Sequence, residues 1–177
     1  MDKAGNILIS VERKYVARML SGNKTIELRR RRLRLSAGTK VWIYSTSPRA
    51  LVEAVAEIEN IVSGPPQCLW DKYKHQTGVT KEEFDSYFSN SGTGWAVVLR
   101  DIQPMQKTVP LATLRRNTRK FHPPQFFMRL HEGSNTLKLL EGHAPKVQSR
   151  RRPEVRSPKL RKGHRSPRVL AAPEPTS

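Results

Sequence analysis

Apolar residues recur at every second position in some stretches of this chain and at every third or fourth in others. The two rhythms divide it into strands and helices. Asn6–Val11 alternates with Ile7, Ile9 and Val11 on one side, and predicts a strand. Glu12–Ser21 predicts a helix whose i,i+4 pairs, Tyr15/Met19 and Val16/Leu20, share a buried face, with Gly22 past its end. Thr25–Arg30 predicts a strand with Ile26 and Leu28 directed into the core. Thr25, Glu27 and Arg29 then line an outer surface or groove, with Lys24 in the turn that enters it.

After turn material at Ser36–Thr39, Lys40–Thr46 and Leu51–Val62 predict two further strands. In the second, Val52, Ala54, Ala56 and Ile58 alternate with Glu53, Glu57 and Glu59, the pattern of a strand with one wet face. Gln67–Tyr73 predicts a short helix. Thr80–Phe88 predicts another, with a Thr80/Glu83 capping box and a buried stripe of Phe84, Tyr87 and Phe88. Trp95–Ile102 predicts a strand, Thr108–Val109 a short one, Leu111–Arg115 a helical turn, and Ser134–Glu141 a last helix. Strands separated by isolated helices, with no βαβ rhythm, imply an α+β fold: a small, mostly antiparallel β-barrel with peripheral helices.

Charge adds a boundary. Residues 144–177 hold six prolines and few apolar side chains, with 10 basic residues against 2 acidic, and predict a disordered basic tail. Residues 1–143 carry 23 basic and 13 acidic residues, so the folded part is itself cationic, within a chain of net charge +18. An excess of that size argues for a polyanionic partner, because each Lys or Arg beside a phosphate displaces condensed counterions. A single cysteine, Cys68, excludes an intramolecular disulfide. The histidines lack paired metal-ligand spacing, so no metal and no cofactor is expected. Ile7–Val11 is too short an apolar run for a signal peptide or a membrane span, which makes a cytoplasmic protein the expectation.

The densest chemistry runs from Gly22 to Arg34, GNKTIELRRRRLR. Lys24, Glu27 and Arg29 form a candidate pocket, in which Glu27 accepts a hydrogen bond from a base amino group and Arg29 holds a phosphate or Glu27 itself. Arg30, Arg31, Arg32 and Arg34 form a candidate edge for backbone phosphates. Tyr44 is a candidate stacking surface, while Ser45, Thr46 and Arg49 at the exit of that strand are candidate polar contacts. Trp95, on a strongly apolar strand, reads as core. Lys24 as a nucleophile needs a deprotonated amine; Glu27 opposes that and the arginine run favours it, so sequence leaves both roles open.

The G-x-K-x-x-E-x-R pattern of Gly22, Lys24, Glu27 and Arg29 lies between a helix and a strand. With Tyr44-Ser45-Thr46, Gly94-Trp95-Ala96 and Pro123-Pro124-Gln125-Phe126, it resembles the ASCH domain family of the PUA-like superfamily. The resemblance covers residues 5–131, leaving 132–143 as a short, possibly helical extension and 144–177 as the tail. It implies a β-barrel with a cleft beside the motif strand and a role in binding nucleic acid, RNA before DNA, or a modified nucleoside. Some family members are amidohydrolases acting on acylated cytidine, and some are ribonucleases; in an enzyme, Lys24 and Glu27 are the catalytic candidates. The hydrolase branch carries a threonine where this chain has Glu27, and a carboxylate near Gln76-Thr77-Gly78, where Asp71 is the nearest candidate. That departure favours a binding protein over an enzyme.

Overall fold

The period-two stretches assemble into one sheet in the structure, a computed structural model that describes residues 4–146. In chain order the elements are β1 (Asn6–Val11), α1 (Arg13–Leu20), β2 (Ile26–Arg29), β3 (Lys40–Ser45), β4 (Leu51–Gly64) and α2 (Pro66–Thr77). There follow α3 (Lys81–Phe88), β5 (Gly94–Pro110), α4 (Leu111–Asn117), β6 (Phe127–Leu130) and α5 (Asn135–Glu141). The sheet order is β2-β5-β4-β3-β1-β6, with β1 and β3 parallel and every other neighbouring pair antiparallel. This mixed sheet forms a half-barrel, the α+β architecture that the sequence predicts. From residue 147 onward the expected tail falls outside the described residues.

Both faces of the sheet are covered, which explains the near-continuous apolar runs in β1 and β3. Ile7, Ile9, Val11, Val41, Ile43 and Ile58 form one core with Val16 and Met19 of α1. Leu8, Trp42, Tyr44, Val52 and Val109 form a second with Leu114 of α4 and Leu137 and Leu140 of α5. A third joins Ile26 and Leu28 of β2 to Leu69 and Tyr73 of α2 and Phe84 and Phe88 of α3. The first and third cores fix the helices between which the cleft described below opens.

Several elements depart from the sequence pattern for local reasons. The buried face of α1 is Val16 with Met19; Tyr15 is only half-buried and Leu20 is exposed, so neither i,i+4 pair is buried as a pair. In α3 the capping box forms as expected, and Phe84 and Phe88 are buried, but Tyr87 is 37% exposed at the edge of the stripe. β5 runs as one strand of 17 residues where two were expected. Asp101, at φ +50°, lies within the register shift where Val55 pairs with Gln103 and Glu57 with Arg100, and β5 continues past it along β4. α2 extends to Thr77 and ends at Gly78, whose φ of +63° is a left-handed cap.

Candidate functional site

Beside β2 lies a cleft of about 740 Å3, and its construction begins with the turn after α1. Gly22, at φ +80°, closes that helix, and the amide of Lys24 donates to the Arg18 carbonyl at 3.0 Å. The Thr25 amide then donates to the Gln76 carbonyl at 2.9 Å, which binds the start of β2 to the last turn of α2. This junction drives the Lys24 side chain inward: the residue is 2% exposed.

Burying an ammonium is costly unless every donor is matched. Lys24 Nζ donates to the Ile26 carbonyl at 2.7 Å and to the Thr77 carbonyl at 2.8 Å, and lies 3.5 Å from Glu27 Oε2. An ammonium has three donors; two are taken by these carbonyls and the third has the Glu27 carboxylate beside it. Thr77 ends α2, so the positive charge also sits at the negative end of a helix. The Arg18 guanidinium donates to the neighbouring Gly78 carbonyl and reinforces the same cap. Burial pushes the Lys24 ammonium below its ordinary value of 10.5, with Glu27 opposing the shift. Lys24 is therefore a clip between β2 and α2 whose nitrogen is fully engaged.

Glu27 is held from two sides. Its Oε1 accepts from Arg29 Nη2 at 3.0 Å while Oε2 faces Lys24. Arg29 is 9% exposed, donates to the Phe126 carbonyl at 3.4 Å, and lies over the Phe126 ring. The face of β2 expected to be an outer surface or groove is thus the sunken floor of a cleft. Ser10, Glu12, Lys14 and Tyr15 line it from β1 and α1, Glu83, Ser86 and Tyr87 from α3, and Pro123, Pro124 and Gln125 from the segment before β6. Lys14 bridges to Glu83 at 2.7 Å and ties α1 to α3.

A second cavity, also of about 740 Å3, shares Arg29, Tyr87 and Gln125 with the first and adds Arg30, Arg31, Ser91 and Phe126. The Arg30 guanidinium stacks over the Tyr87 ring, 4.7 Å from its centroid. Arg32 and Arg34 are exposed beyond this cavity.

The other candidates lie elsewhere. Tyr44 is 3% exposed in the second core, beside Trp42, and lines neither cavity. Swinging it out to stack a base would return about 1–3 kcal/mol and forfeit a burial term of about 1.5–3 kcal/mol, so nothing is gained. Ser45 is fully buried, and Arg49 pairs with Glu53 at 3.4 Å outside the cleft. Thr46 does line the cleft. Trp95 is half-buried, opposite Arg29 in the β2–β5 register. Asp71 accepts a hydrogen bond from Gln67 and lies outside the cleft; near Gln76-Thr77-Gly78 it is the Thr77 carbonyl that faces Lys24. Among the described residues no cluster of His, Cys, Asp and Glu is suited to a metal ion, and no helix is long and apolar enough to cross a membrane.

Sequence reasoning missed Glu12, Lys14, Tyr15, Glu83 and Tyr87 as wall residues. Tyr15 and Tyr87 were assigned to buried helix faces; their half-exposure follows from sitting at the edges of those faces, which periodicity does not resolve.

Comparison with known proteins places this geometry among relatives. A family model described as a domain of unknown function (DUF365) matches residues 5–117. The chain is similar to a Zymomonas mobilis protein named ASCH domain-containing ribonuclease, with 32% identity over 133 residues, 75% of this chain and 88% of that one. The crystal structure of ASCH from Zymomonas mobilis matches with a TM-score of 0.72 and 31% identity, covering 77% of this chain and 94% of that one. A point mutant of the same Zymomonas mobilis protein matches with a TM-score of 0.74 and 29% identity, covering 81% of this chain and all of the other (100%).

Proposed function

Since this chain belongs to the ASCH domain family, we propose that it binds single-stranded or locally unpaired RNA, with a base seated in the cleft over Glu27. The observation that carries the reading is the Glu27 carboxylate, fixed between Lys24 and Arg29 on the floor of a nucleoside-sized cleft, with arginines just outside it. A carboxylate in that position is an acceptor for an exocyclic amino group, and its two cations spare it the cost of reorganising when a base arrives. RNA rather than DNA follows the name of the Zymomonas mobilis relative, a ribonuclease. Arg30 and Arg31 add affinity for the backbone, and exposed Arg32 and Arg34 add the part most sensitive to salt.

Fluorescence-anisotropy titrations of short single-stranded RNAs over a salt series test this. Affinity falls steeply with salt, and Glu27→Gln alters the ranking of the four homopolymers more than the mean affinity. Salt-independent binding, or no binding, defeats the proposal.

A second reading, RNA cleavage, is favoured by the name of the same relative. Glu27 is the one carboxylate on the cleft floor and so the candidate for proton transfer, whereas the Lys24 nitrogen is turned to the Ile26 and Thr77 carbonyls and to Glu27 rather than into the cleft. Incubating labelled RNA with the protein and with Glu27→Gln separates the readings: cleavage abolished in the variant makes the protein an enzyme, and intact RNA in both leaves it a binder. Amidohydrolase action has the least support, because it asks Lys24 to surrender the contacts that hold β2 to α2.

A further inference from the structure

The two cavities divide a nucleotide between them: we propose that the second cavity is a built phosphate subsite, so that the ligand of the paired cavities is a nucleotide rather than a nucleoside. This rests on the reading of the first cavity as a nucleic-acid site and specifies what must accompany the base.

Charge balance carries the argument. The first cavity is lined by Lys14, Lys24 and Arg29 and by Glu12, Glu27 and Glu83, so its cations and carboxylates are equal in number. Each of those cations has a carboxylate within 4 Å: Lys14 has Glu83, while Lys24 and Arg29 share Glu27. A chamber so neutralised suits an uncharged base and sugar and repels a bare anion from its carboxylates. The second cavity has arginine at 29, 30 and 31 and no acidic residue in its lining. Among the described residues, neither Arg30 nor Arg31 forms an ion pair.

The second cavity is also shaped for an anion. Tyr87 carries the Arg30 guanidinium on its ring, which holds the planar group in place and leaves its N–H edge free to donate. Arg29 is held by Glu27 and the Phe126 carbonyl and marks the border between the cavities. Ser91 adds a hydroxyl. Arginine's fork of donors is matched to phosphate oxygens, and a guanidinium already stacked loses little further freedom in binding one. The shared border residues make the cavities contiguous, so one ligand spans both.

The test compares the four ribonucleosides with their 3′- and 5′-monophosphates. Each is titrated into the full chain and into the double variant Arg30→Ala/Arg31→Ala, and followed by amide chemical shifts at low salt. For at least one base, a monophosphate binds about tenfold or more tightly than its nucleoside, and the double variant reduces it to the nucleoside's affinity while leaving nucleoside binding unchanged. Equal affinity of nucleoside and monophosphate overturns the proposal, as does a double variant that weakens both alike, or no shift with any of the ligands. The RNA reading fails separately, on absent RNA binding; RNA affinity that survives the double variant undiminished sinks the phosphate subsite and leaves that reading intact.

Discussion

The two cavities occupy similar volumes and share Arg29, Tyr87 and Gln125, yet they treat their charges in opposite ways. On the floor of the first, Lys24 and Glu27 are sunk beneath the surface, and their positions are fixed by backbone carbonyls and by each other. Around the second, Arg30 and Arg31 are exposed, and Arg30 rests on an aromatic ring. Charge that is buried and paired holds the fold in register, and removing one partner exposes the other to the full cost of burial. Charge that is exposed and unpaired contributes little to folding and is available to a ligand. One short segment of β2 and its continuation thus supplies a structural network and a binding surface within a few residues.

Stability measurements break this comparison most directly. Lys24→Met removes a buried ammonium from two carbonyls and a carboxylate, and is expected to cost about 3 kcal/mol or more in urea denaturation. Arg30→Ala, six residues away, is expected to stay within about 0.5 kcal/mol of the parent. Comparable losses in the two variants, or a Lys24→Met protein as stable as the parent, would remove the distinction between the cavities. The same result bears on function, since activity lost in a Lys24 variant could then not be assigned to chemistry without first showing that the fold had survived.

Gly78→Ala gives an intermediate effect and tests how Lys24 is positioned. A Cβ at residue 78 would stand 2.9 Å from Lys24 Cβ, and the φ of +63° is unfavourable for any side chain. The left-handed conformation alone costs about 1–2 kcal/mol, and the clash pushes Lys24 toward the cleft. The expected outcome is a moderately destabilised protein in which the amide resonances of Ile26, Glu27 and Arg29 shift while those of Arg30 and Arg31 hold still. Shifts spread equally through both cavities would show that the second is not independent of the clip.

Much of this was legible in the sequence because β1 and β3 are short, β-rich apolar runs, because β4 carries clear alternation, and because Thr80 and Glu83 form a capping box that needs only local geometry. The Lys24, Glu27 and Arg29 cluster was legible for the same reason: period two puts residues 27 and 29 on one side of β2. Its depth was not. Lys24 is buried because α2 runs on to Thr77 and offers a carbonyl from 53 positions away, a contact no local pattern contains. Tyr44 and Ser45 were misplaced for the converse reason. The second face of the sheet is covered by α4 and α5, so alternation on β3 separates two cores rather than a core from solvent.

The smallest expected effect is in the alkaline stability profile, where the buried cation of the first cavity and a core phenol act in opposite directions. Lys24 is held below 10.5 by burial, so between its folded and ordinary values the unfolded chain binds the extra proton. Its contribution to stability therefore grows as pH rises through that window, and is level below it. Tyr44 is raised above 10 by burial, with Arg115 opposing, so the folded chain keeps its proton longer. Its contribution is present up to about pH 10 and is lost as pH climbs toward the raised value. Chemical denaturation at closely spaced pH values should show Tyr44→Phe flattening the loss above pH 10, about where an ordinary phenol titrates. Glu27→Gln should widen the rising part below it, since removing the carboxylate leaves burial of Lys24 less opposed. A profile unchanged by Glu27→Gln would mean that Glu27 and Lys24 are not coupled, and the first cavity would lose the feature that sets it apart from the second.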